Sequence, residues 1–178
     1  MRLCLALAAL LLMAAAPAPT PTRLLARAPG GRTLTPLAAR GSQAWTVTVA
    51  QTGQRITAAA EGDALPDAPP LLMPLASAGI DDLLLPVLLG NVNLVWDAWL
   101  QDARSGRFTP AGQLSGIDVA RDRSGAVVAL ARSSCCEWTY SVWRIGADRQ
   151  LAEGFEIDAP LEESGRIRDC TPASPGGK

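Results

Sequence analysis

The strongest constraint in this chain is its alternation. In AWTVTVAQTGQRITAAA, residues 44–60, Trp45, Val47 and Val49 fall on one side of an extended backbone. Thr46 and Thr48 fall on the other, and a TG turn leads into a second extended segment. A period of two with a turn at its centre reads as a β-hairpin, because successive side chains of a strand point to opposite faces. The pattern returns along the chain. Leu94, Trp96, Ala98 and Leu100 alternate with Val95, Asp97, Trp99 and Gln101, and Trp138, Tyr140 and Val142 alternate with Thr139, Ser141 and Trp143. Between them lie an apolar strand over Asp81–Pro86, a GNVN loop, and the turns DARSGRF, RDRSG and GADR. Short strands at this spacing predict an all-β fold of sequential antiparallel hairpins, propeller-like or a β-sandwich, in a single domain. The five tryptophans all fall on these strands and are expected mainly in the core. The odd spacing of Trp96 and Trp99 sends them to opposite faces.

The ends have a different composition. Leu3–Met13 is an unbroken apolar run behind one arginine, followed by small residues. That is the layout of a secretory signal peptide over 1–18, shorter than the about 20 residues of a membrane span. Cys4 precedes the end of the run, so no lipid-anchoring cysteine follows it and no stable membrane anchor is expected. Residues 19–40 read as a Pro-rich tether, 41–170 as the β domain and 171–178 as a flexible tail. These boundaries imply export to the periplasm.

Composition narrows the chemistry. Removing residues 1–18 takes away one of 16 basic residues and none of the 17 acidic ones, leaving 15 against 17. No basic run is present, so nucleic acid is not an expected partner. The chain has no histidine, and so lacks the commonest general base, zinc ligand and activator of serine or cysteine nucleophiles. No motif sets two carboxylates in a catalytic arrangement, so an enzyme is not expected.

Four segments carry a resemblance: GIDDLLLP, GNVNLVWDAWLQDARSGRF, AGQLSGIDVARDRSGAVVALARSSCCEW and YSVWRIGADRQL. In this order they resemble a family of secreted bacterial β-proteins, which includes immunity proteins against lysozyme-like effectors of type IV secretion systems. The similarity runs from about Leu72 to Ile157. It implies a periplasmic protein that binds and inhibits a peptidoglycan-cleaving enzyme, with calcium in some members. The alternative is a non-catalytic structural envelope protein.

In that family a D-x-N-x-D-G loop precedes the first of these strands. Here Pro74, Ala76 and Ala78 occupy the three oxygen-ligand positions, leaving Gly79, Asp81 and Asp82. Calcium takes six to eight oxygens, so the loop reads as a degenerate calcium loop with no metal, and no cofactor is expected. Gly79 fits a backbone of positive φ. The family's inhibitory serine-glycine loop corresponds to ARSSCCEW, where Ser134 replaces the glycine and two cysteines follow. Candidate contacts with a protein partner are Ser133, Ser134, Glu137 and Trp138 here, and Asn91 and Asn93 in the GNVN loop. In a glycosidase cleft, the two serines would hydrogen-bond the paired carboxylates. Cys135, Cys136 and Cys170 are the disulfide candidates. A vicinal bond is strained, since neighbouring Cα atoms lie about 3.8 Å apart and disulfides favour about 4.4–6.8 Å. A bridge from one of the pair to Cys170 is the easier alternative.

Overall fold

The computed structural model describes residues 20–133 and 137–160, with the side chains of 159 and 160 left aside. The strands in chain order are β1 (Thr22–Arg23), β2 (Ala26–Arg27), β3 (Thr33–Leu34), β4 (Pro36–Arg40), β5 (Ala44–Val49), β6 (Gln54–Ala59) and β7 (Leu71–Met73). They continue with β8 (Asp82–Leu89), β9 (Leu94–Gln101), β10 (Phe108–Gly116), β11 (Asp118–Arg121), β12 (Val127–Arg132), β13 (Glu137–Ile145) and β14 (Leu151–Pro160). All pairings between them are antiparallel. The fold is all-β, as the alternation predicts.

Three four-stranded sheets are built almost entirely from sequence neighbours: β1-β4-β5-β6, β10-β9-β8-β7 and β11-β12-β13-β14. A two-stranded ribbon, β2-β3, completes the set. The second sheet is the central layer. Leu83, Leu85, Val87 and Phe108 from one of its faces pack with Val47, Val49 and Ile56 of the first sheet. Leu84, Trp96, Ala98, Leu100 and Leu114 from the other pack with Val119, Val127 and Ala129 of the third. This explains why β8 reads as a continuous apolar run rather than an alternating one, since a strand covered on both faces has no solvent side. Trp96 and Trp99 do diverge: Trp96 is buried in the second core, and Trp99 packs half-buried against the first. The buried indoles of Trp45 and Trp96 donate to the carbonyls of Pro86 and Gly116, each at 3.0 Å.

Pro86 sits inside β8 although proline cannot donate to a ladder. β7 pairs only with Asp82–Leu84, so β8 is an edge by the time it reaches Pro86. The register with β9 shifts between Pro86 and Leu88, as at a bulge.

The N-terminal boundary needs correction. Residues 22–40 are not a tether ahead of the domain: they form β1 to β4, and Ala26, Ala28, Leu34 and Ala38 belong to the first core. The apolar positions there are spaced two apart but filled mostly by alanine, which packs a strand with little hydrophobic signal. The β fold therefore begins at Thr22 rather than at residue 41. Residues 1–18 and 171–178, assigned above to the signal peptide and tail, lie outside the described residues, as does Cys170.

Candidate functional site

In the Gly79 loop both aspartates are held by hydrogen bonds from the chain itself. Gly79 has φ +81, the left-handed conformation its turn requires. Asp82 is fully buried, and its carboxylate accepts three backbone N–H groups: Leu75 and Ala76 at 2.8 Å on Oδ2, and Gln101 at 2.7 Å on Oδ1. The side chain thus binds its own loop to the end of β9. Burial pushes its pKa up, against the opposing pull of the three N–H groups and of Arg149. Asp81 takes the neighbouring role. Its carboxylate accepts the Arg27 guanidinium through Nε at 3.0 Å and Nη2 at 2.6 Å, and the Arg27 N–H at 2.8 Å. The Asp81 N–H returns a bond to the Arg27 carbonyl at 3.0 Å. Burial works to raise the Asp81 pKa, but these bonds outweigh it and hold it below the ordinary value. Both aspartates are engaged by groups of the chain itself: an arginine for one, backbone donors for the other. Among the described residues, no group of three or more acidic or cysteine side chains is placed to hold a metal.

The opposite end of the central sheet carries the partner-contact candidates. Leu94 pairs with Leu89 on one side and Gly116 on the other, so the GNVN loop and the β10–β11 junction meet there. Asn93 then links this sheet to the third. Its Nδ2 donates to the Arg132 carbonyl at 3.1 Å, and the Arg132 N–H donates to its Oδ1 at 2.8 Å. A side-chain amide here reproduces the two-way bond of a strand pair. Together these elements enclose a cleft of about 540 Å³ lined by Gly90, Asn91, Val92, Val95, Ser115 and Ser133, among others. Of its lining residues, Val92 is an exposed apolar side chain. Its lining sets Val92 and Val95 beside amide, hydroxyl and arginine residues.

The candidates from sequence separate into three groups. Asn91 and Ser133 are exposed and line the cleft together, although they come from different sheets. Asn93 also lines it, but its amide is engaged by Arg132 and serves as a clamp. Ser133 closes the mouth of its loop, with its N–H at 3.2 Å and its hydroxyl at 3.3 Å from the Glu137 carbonyl. Glu137 is exposed at the start of β13, and Trp138 is half-buried against the third, outer core cluster. Ser134, Cys135 and Cys136 lie outside the described residues. Sequence reasoning missed the Asn93 clamp, the Arg27–Asp81 pair, and a cluster of three polar groups linking the second sheet to the loop after β6. In that cluster the Gln113 amide donates to both Asp97, at 2.7 Å, and Glu61. Burial raises the Asp97 pKa; Gln113 opposes the rise and the Glu61 charge adds to it.

Comparison with known proteins finds no matching family model, no matching curated protein and no matching solved structure.

Proposed function

We propose that this chain is an exported, periplasmic binding protein that inhibits a peptidoglycan-cleaving, lysozyme-like enzyme, as an immunity protein does. The contact surface is the cleft between the GNVN loop and the Ser133 loop. The observation that carries this reading is the meeting of the two loops at one cleft, 39 residues apart in sequence and joined by Asn93. The family resemblance supplies the class of enzyme, and the cleft supplies a place to hold it. Its supports are preorganised: strand ends on three sides and a two-bond amide clamp. A rigid site loses less entropy on docking. The chain acts by occupying the enzyme rather than by chemistry of its own.

The test is inhibition of lysozyme-type hydrolases by the purified mature protein and by an Asn91→Trp/Ser133→Trp variant. Both positions are exposed, so the variant keeps the parent melting temperature. It fills the cleft and abolishes inhibition. Full inhibition by the folded variant would remove the cleft from the reading. Absence of inhibition by the parent across hydrolase classes would remove the inhibitor role itself.

A further inference from the structure

Among the described residues, the third sheet ends in a strand with one edge unpaired. Among the described residues, β14 pairs with β13 only, and residues 152–158 are all exposed. Such an edge offers a row of unpaired N–H and C=O groups to any extended chain.

The two faces of β14 differ sharply. Phe155 and Ile157, each 37% exposed, stand opposite Val142 and Tyr140 on the outer face. A hollow of about 380 Å³ opens beside Phe155, walled by Ala126, Val142 and Ile145 and also by the polar Asp122, Ser124 and Arg144. The other face is acidic. Glu156 stands opposite Ser141 and Asp158 opposite Thr139. Glu153 would fall with Phe155 in a regular strand, but the register shifts between Val142 and Trp143, leaving Gly154 as the extra residue. Glu153 therefore stands opposite Trp143, on the same face as Glu156 and Asp158. The bulge aligns three carboxylates along one side of the edge, and β14 carries no basic residue. Glu156 and Asp158 each use one oxygen, accepting the hydroxyls of Ser141 at 3.0 Å and Thr139 at 2.6 Å. Their second oxygens make no further hydrogen bond within the described residues.

We propose that the edge of β14 takes an extended segment of a partner protein as a fifth strand, one whose residues alternate basic and apolar. Basic side chains of that segment lie along Glu153, Glu156 and Asp158, and its apolar side chains lie along Phe155 and Ile157. The backbone ladder supplies affinity and the alternating faces supply selectivity, as in other strand-addition complexes. The same charges exclude a second copy of β14, which would set carboxylate against carboxylate. This surface lies on the third sheet alone and does not depend on the cleft reading.

The probes are two capped hexapeptides, one alternating arginine and valine, the other glutamate and valine, offered to the full mature chain. The arginine peptide binds, more weakly in high salt as screening requires, and protects the amides of residues 152–158 from hydrogen exchange. The glutamate peptide does not bind. Glu156→Lys/Asp158→Lys weakens the arginine peptide at least about tenfold, about 1.4 kcal/mol, and accepts the glutamate peptide instead. If that variant does not fold, Glu156→Gln/Asp158→Asn keeps the acceptor oxygens and loses the salt-dependent part of binding. The proposal is overturned if the parent binds neither peptide, if charge-altered variants bind the arginine peptide as the parent does, or if protection falls outside β14. It is also overturned if binding requires removal of residues 161–178. That would give the edge to the chain's own Arg166-Ile167-Arg168, which has the same alternation in sequence.

Discussion

Asp82→Ala tests whether the Asp82 carboxylate organises the Gly79 loop. The substitution removes the acceptor of three backbone N–H groups. Ala76 is half-buried and its N–H gains water when the loop relaxes; the other two bonds lie in buried surroundings. A buried donor left without a partner costs about 1–3 kcal/mol, so the two together cost about 2–6 kcal/mol. Burial of the carboxylate is itself unfavourable, as the raised pKa shows, and its removal returns part of that. The net expectation is a loss of about 2–4 kcal/mol, a large share of the about 5–15 kcal/mol typical of a domain. The melting temperature should fall by about 5–15 °C. Asp82→Asn separates charge from hydrogen bonding. With its amide oxygen at the Oδ2 position it keeps Leu75 and Ala76 and loses only Gln101, so it should lose less, about 1–2 kcal/mol. Urea unfolding with an unchanged slope measures both. A loss under about 1 kcal/mol for Asp82→Ala would refute the three-donor account. Equal losses for the two variants would show that charge, not acceptor count, holds the loop.

Calcium should leave the melting temperature unchanged relative to chelator, since a ligand that binds only the native state must raise it; a calcium-dependent rise lost in Asp82→Ala would contradict the reading. A mature chain starting at Gly41 should lose cooperative unfolding, because it uncovers Val47, Val49 and Ile56; a parent-like melt would restore the tether reading. Asp97→Asn should raise stability at pH 7 by less than about 1 kcal/mol, because the site is only part-buried. The sign follows from the raised pKa of Asp97: between that value and the ordinary 3.8, the native state holds a proton that the unfolded chain has released. Stability therefore falls as pH rises through this window, and the advantage of Asn should shrink as the pH is lowered towards 4. A constant difference between pH 7 and 4 would assign the effect to packing.

The strands that sequence makes legible are those with large apolar residues at alternate positions. β5, β6, β9 and β13 bury tryptophan, valine, isoleucine and leucine on one side, and the turns between them carry glycine or aspartate. The missed strands lack one or both signals. β2 and β4 place alanine where others place valine, and β7 is three residues inside a Pro-rich stretch. The same limit applies to the site. That the calcium positions are empty of ligands is visible from Pro74, Ala76 and Ala78. How Asp81 and Asp82 are held is not, because Arg27 lies 54 residues from Asp81 and Gln101 lies 19 from Asp82. Local composition carries no trace of pairings that the topology creates. The cleft was half legible: polar loops between apolar strands marked Asn91 and Ser133 separately, and only the stacking of the second and third sheets unites them.

The two ends of β8 lead to a last prediction. Asp82 begins this strand and Leu89 ends it, beside the GNVN loop. At about 3.3 Å per residue the Asp82 anchor and the cleft lie about 23 Å apart. They share no hydrogen bond: Asp82 binds Leu75, Ala76 and Gln101, and Asn93 binds Arg132. Substitutions that far apart without common partners act independently. Asp82→Asn should therefore lower stability while leaving inhibition per folded molecule unchanged, when assayed well below its melting temperature. Asn93→Ala should do both. It removes the two hydrogen bonds between the Asn93 amide and the Arg132 backbone, costing about 1–2 kcal/mol, and frees the two walls of the cleft to move, which weakens inhibition in the folded protein. The double variant should equal the sum of the two in stability and match Asn93→Ala alone in inhibition. A cleft weakened by Asp82→Asn would mean that β8 transmits strain along its length, and the anchor would then belong to the binding site.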